Sequence, residues 1–186
     1  MSDILWNLES VYPALDSKEF AKDKTELTEL SADLQSVLGQ VDSSRPDTWI
    51  GDAVASLNRL TDLVENLFSY VYARWSVDTA DETAQAEMDD LEARNLALKE
   101  AVVMFRSLIG GIDSRTWDTY LDSPEAGPYR FWLEEQRMLA GKQMSPAEES
   151  LAADLLRSGG DAWDRLHGKL SSSVGHPWED GTKTVT

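Results

Sequence analysis

Three stretches of the chain repeat apolar residues at steps of three and four, and this periodicity constrains the fold more than any other feature. In the longest, Ile50, Val54, Leu57, Leu60, Val64, Leu67, Phe68, Val71 and Trp75 fall on one side of a 3.6-residue turn. A strand, with its period of two, would scatter them over both faces. The pattern predicts a helix of about 30 residues, or ~45 Å, opening near Pro46. Before it, Phe20, Leu27, Leu30, Leu34, Val37 and Leu38 predict a first helix, with Asp16 and Glu19 as a capping box and Gly39 as its end. After it, Met88, Leu91, Leu98, Val102 and Phe105 predict a third, opened by Thr79-Ala80-Asp81-Glu82 and stopped at Gly110-Gly111.

Beyond Gly111 the helical pieces shorten. "DSRTWDTYL" reads as two turns, and "SPEAGPYRFWLEEQRML" as a helix settled after Pro128 and stopped by Gly141. "SPAEESLAADLLR" carries the strongest start signal: Ser145 as cap, Pro146 in the first turn, Glu148 closing the box. Gly159-Gly160 stops it, and Asp161 is placed to cap "AWDRLHGKL". Only "VGHPWEDGTKTVT" reads as strand, with Asp180-Gly181 at the turn and Thr182, Thr184, Val185 and Thr186 on the return. A lone hairpin is marginal in water, so this one looks unfinished. The expected fold is all-α: an array of about seven helices, three long and several short, with an incomplete C-terminal β-hairpin. No repeat at a fixed period argues for a solenoid.

Composition narrows the partners. With 41% hydrophobic and 27% charged residues the chain is expected to be globular. A formal net charge of −17 repels phosphate backbones and anionic lipid, so neither nucleic acid nor membrane is an expected partner. The longest apolar run, Ala101 to Phe105, is far short of a membrane span. "MSDILWNLES" has neither a basic patch nor an apolar signal core. The absence of cysteine removes disulfides and thiolate ligands and fits a reducing compartment. The expected location is cytoplasmic.

The chemistry-bearing residues are sparse. Helical zinc sites commonly use His-Glu-x-x-His, which sets two imidazoles one turn apart. Here the two histidines are His167 and His176, neither followed by Glu, with an expected helix end between them. A surface His and a loop His before Pro177 fit that spacing better than a metal pair. No Gly-x-Ser-x-Gly nucleophile turn is present, and the Gly110-Gly111 and Gly159-Gly160 pairs lack phosphate-loop spacing. "DETAQAEMDDLE" lacks the glycine of a calcium loop and reads as a solvated helix face. Trp49, Trp75, Trp132 and Trp163 are expected to pack between helices. Trp6 and Trp178 lie outside the helices and are placed to cover the hairpin or a neighbouring domain; a peptide groove lined by tryptophans is the other reading. The chain is therefore expected to hold no catalytic residue, no metal ligand and no cofactor of its own.

Several stretches carry a resemblance. "WNLESVYPALDSKEFAKD", "YVYARWSVDTADETAQ", "GPYRFWLEEQRML" and "SPAEESLAADLLRSGGDAWDRLHGKLSSS" resemble, in order, the N-terminal region of the oligoendopeptidase F family of zinc metallopeptidases. Members of that family cut short peptides inside a deep channel. Their zinc sits in a His-Glu-x-x-His helix with a further Glu ligand, all in the C-terminal half; the N-terminal half is helical and walls the channel. The resemblance implies residues 1–111 as a long-helix segment of an N-terminal lobe and 112–173 as a short-helix segment packed on it. Residues 174–186 would be a truncated hairpin leading toward a missing catalytic domain, which is the implied partner together with short peptides. Zinc is implied for the full-length protein alone, and the channel-wall residues are unknown from sequence. The alternative is a stand-alone helical scaffold that kept the fold without the chemistry. A separated domain should leave an apolar face open and self-associate, whereas a stand-alone protein should not.

Overall fold

The computed structural model describes residues 7–178 and 181–184. Among them it forms seven α-helices: α1 (Lys18–Leu38), α2 (Ile50–Val77), α3 (Glu82–Gly111), α4 (Ser114–Leu121), α5 (Arg130–Ala140), α6 (Pro146–Ser158) and α7 (Gly160–Ser173). Two strands follow, β1 (Gly175–Trp178) and β2 (Gly181–Thr184). The all-α expectation is borne out. Single 3₁₀ turns at Pro46–Thr48 and Gly127–Tyr129 lead into α2 and α5.

The helix starts differ from expectation in instructive ways. Ser17, rather than Asp16, caps α1, its hydroxyl accepting from the Phe20 amide at 3.2 Å. Asp81, rather than Thr79, caps α3, accepting from Thr83 and Ala84. In both, the acceptor one or two residues nearer the helix has the shorter reach to the free amides of the first turn. Asp161 lies inside the first turn of α7, with Gly159 as the flanking residue. The α6 capping box stands as expected: Ser145 Oγ accepts from the Glu148 amide, and the Glu148 carboxylate accepts from the Ser145 amide at 2.9 Å.

The first three helices pack on one another, and α3 is the hub, also meeting α5 and α6. The apolar stripes read from the sequence line the core: Phe20, Leu27, Leu34, Ile50, Leu60, Leu67, Leu91 and Phe105 are all buried. Two aromatic groups close its ends. Tyr12 stands edge-on to Phe20 and Tyr70, each at 5.2 Å between centroids, and Phe105 lies between Trp49 (5.9 Å) and Trp132 (5.7 Å). The Tyr12 hydroxyl donates to Asp23 at 2.7 Å, and burial, then that carboxylate, push its ionisation upward. Gly110, in the last turn of α3, lets α5 approach closely, since a Cβ there would stand 2.9 Å from Ala140 Cβ.

The last two helices are attached differently: among the described residues they contribute no buried side chain. Trp163, expected to pack between helices, is 70% exposed. Its spacing along α7 marks an apolar face correctly, but the neighbouring helix does not lie against that face. What ties α7 to the body is the Arg165 guanidinium, which donates from Nη1 to both Glu92 oxygens at 2.9 and 2.8 Å. Glu92→Gln is expected to cost about 1 kcal/mol or less, since both partners are part-exposed. Its visible effect should be local: amide exchange across 145–173 accelerates while exchange in α1 and α2 stays unchanged.

The strands pair antiparallel with Gly175 opposite Thr184 and Trp178 opposite Gly181. Glu179 and Asp180, on which the expected Asp180-Gly181 turn falls, lie outside the described residues, as do Trp6, Val185, Thr186 and the Trp178 side chain. Gly181 opens β2 with a φ of +143°, which a residue bearing a Cβ rarely adopts.

Candidate functional site

A groove of about 970 Å³ opens where α6 stands off α3 beside the end of α1. Its apolar surface comes chiefly from Leu96, Leu98, Val102, Val103 and Leu108 of α3, facing Ala152, Ala153 and Leu156 of α6. Small residues on α6 open the space, because two alanines supply its wall where leucines would have filled it. Leu38 and Gly39 close the α1 end.

Polar groups stand at intervals around this surface. Gln35 donates to the Ala97 carbonyl at 2.7 Å and to Glu100 at 3.2 Å, fixing the α1 side. Glu149 accepts from the Met144 amide at 3.0 Å, fixing the start of α6. Lys99 and Arg106, seven residues apart on α3, add positive charge against these two carboxylates. A groove of this size, apolar with a few placed polar groups, suits a peptide or similar ligand rather than an ion.

Ser107 joins the groove to a smaller polar cavity of about 420 Å³ between the ends of α3 and α5. Three side-chain bonds hold α5 there: Arg106 to Gln136 (2.7 Å), Arg137 to the Ile112 carbonyl (2.8 Å) and Gln143 to the Val103 carbonyl (3.0 Å). Arg137 also lies over the Trp117 ring at 4.7 Å, so it joins the end of α3 to α4 and α5. Its Nη1 and the Gln143 Oε1 are enclosed without a protein partner.

The histidines do not converge. His167 sits on α7 and His176 on β1, and no group of three or more His, Cys, Asp or Glu among the described residues is arranged to hold a metal. A tight charge cluster joins α1 to α3: Lys24 of α1 donates to Glu87 and pairs with Asp90 at 2.7 Å, and Arg94 donates to Asp90 at 2.8 Å. Burial works against both charges. The bonds to Asp90 and Glu87 outweigh it and raise Lys24; those from Arg94 and Lys24 outweigh it and lower Asp90. The groove was not legible in the sequence, which marked α3 and α6 as helices without showing how far apart they stand.

Fold and groove together define a helical unit with an apolar groove between α3 and α6. Residues 109–174 match the family model of the peptidase M3 N-terminal region, described as oligopeptidase F. The match runs from the last turn of α3 through α7 and supports the resemblance to the N-terminal region of the oligoendopeptidase F family. The helices α1 and α2 lie outside it. No curated protein and no solved structure matches the chain. Among the described residues, no helix is long and apolar enough to cross a membrane.

Proposed function

We propose that this chain is the non-catalytic N-terminal domain of a zinc-dependent oligoendopeptidase, with the α3–α6 groove as part of the wall that short peptides meet. The observation that carries the reading is the family match over residues 109–174, which includes α6 and ends one residue past α7. The groove supports it physically. It is open, apolar and built on α3, the helix that the rest of the core holds most firmly, as a rigid channel wall requires. In this reading the zinc ligands and the attacking water belong to a catalytic domain of the same polypeptide in the cytoplasm, and the helical wall excludes folded proteins by size.

The test is to identify the native polypeptide that carries this segment and assay it. The expected result is a longer protein that cleaves short peptides, loses activity to a chelator, and recovers it with zinc. In that protein Val103→Arg, which puts a charge on the groove surface, should raise KM for apolar peptides several-fold with kcat little changed. A native polypeptide of this length, or a longer one without chelator-sensitive cleavage, would sink the proposal.

A further inference from the structure

The hairpin of α6 and α7 has two sides, and only one of them meets the protein. On α6, Ala152, Ala153 and Leu156 line the groove, whereas Leu151 and Leu155, one turn apart, are 59% and 60% exposed. On α7 the body is met by Arg165, through Glu92, and by Gly168, where an added Cβ would stand 3.8 Å from the Trp75 ring. At about 100° per residue, Trp163, Leu166 and Leu170 centre on the opposite side of α7. They are 70%, 44% and 56% exposed. The apolar stripe thus points straight away from the core.

We infer that this outer face pairs with the same face of a second copy of the chain, the two hairpins closing into an antiparallel four-helix contact. Area is the first argument. Five large side chains at these exposures, with Val174 at the end of the stripe, offer on the order of 600 Å². That is the top of what a monomer commonly leaves open, and near the ~800 Å² that each partner contributes to a standard interface. Shape is the second. Two adjacent helices with leucines one turn apart are self-complementary under a two-fold axis, because their ridges interdigitate with their own copy. Charge is the third. Residues 145–173 hold five carboxylates and three basic side chains, a net of −2 out of −17, so most of the repulsion lies elsewhere on the surface. The face lies on the other side of α6 from the groove, and the inference does not rest on the peptidase reading.

Light scattering on the intact chain over a roughly hundredfold dilution series should give twice the 20.7 kDa chain mass, falling toward one chain on dilution. Added salt should tighten the dimer by screening the remaining charge. Leu155→Asp and Leu170→Asp, at exposed positions, should each weaken association at least tenfold with circular dichroism unchanged. Phe131→Asp, 79% exposed on α5, should leave it intact. Should a variant unfold, wild-type amide exchange decides: protection across 145–173 rising with concentration supports the dimer, and concentration-independent exchange overturns it. A wild-type chain monomeric throughout, a ladder of larger species, dissociation by salt, or folded aspartate variants that still dimerise would each overturn the inference as well.

Discussion

Phe105→Ala is expected to lower the unfolding free energy by about 3–5 kcal/mol and the Tm by on the order of 10 °C. Phe105 is 1% exposed on α3, and its ring is the contact between Trp49, which precedes α2, and Trp132 of α5. Truncation removes the transfer energy of the ring and opens a cavity between two indoles that cannot both collapse into it, since each is anchored on a different element. The loss should exceed that of a leucine on the same helix, such as Leu98, which is 8% exposed and borders the groove. Urea titration followed by far-UV circular dichroism measures it, with Phe131→Ala as a control expected to stay within about 0.5 kcal/mol. A Phe105→Ala loss under about 1 kcal/mol would show that α5 does not close the core at this end.

The same residue shows what the sequence discloses and what it withholds. Phe105 takes its place in the α3 stripe by spacing alone, as do Leu91 and Leu98, because burial of one helix face is written directly into a 3.6-residue period. Periodicity says that a face is apolar; it does not say what lies against it. Trp163, Leu166 and Leu170 repeat as regularly as the core positions, yet they face outward, because the docking of α7 is set by a salt bridge and a glycine rather than by its stripe. The groove is a second case. Its alanines on α6 are good helix formers in any context, and only the separation of α6 from α3 turns them into a wall. Caps fall in between: the chemistry at Ser17 and Asp81 is of the expected kind. The choice among neighbouring Asp, Ser and Thr acceptors depends on which one reaches the free amides, a matter of ångströms that residue type does not encode. The family resemblance rests on yet another kind of information. The matched segment, 109–174, runs from the last turn of α3 through α7, where the helices are short and their stripes too brief to identify a fold by periodicity alone.

Lys24→Met should cost about 1–3 kcal/mol at neutral pH, the larger part of it electrostatic. The Lys24 side chain is 16% exposed and its ammonium lies between Glu87 and Asp90; removing it leaves two half-buried carboxylates three residues apart on α3, of which Arg94 pairs with Asp90 only. The pH dependence separates this cause from lost packing. Asp90 has its folded pKa held below its ordinary value, against the cost of burial, by Arg94 and Lys24, so its stabilising contribution is present above the unfolded value and is lost as pH falls through the folded one. Lys24 is raised against burial by Asp90 and Glu87, so its contribution is full below its unfolded value and is lost as pH climbs through the folded one. The gap between wild type and Lys24→Met should therefore form a plateau through neutral pH and narrow toward both acid and strongly alkaline solution. Urea midpoints measured at a series of pH values trace it. A gap that stays constant into acid would assign the loss to the lysine stem, whose ammonium end lies 5.5 Å from the Phe20 ring centroid, and would make the α1–α3 contact one of packing rather than of charge.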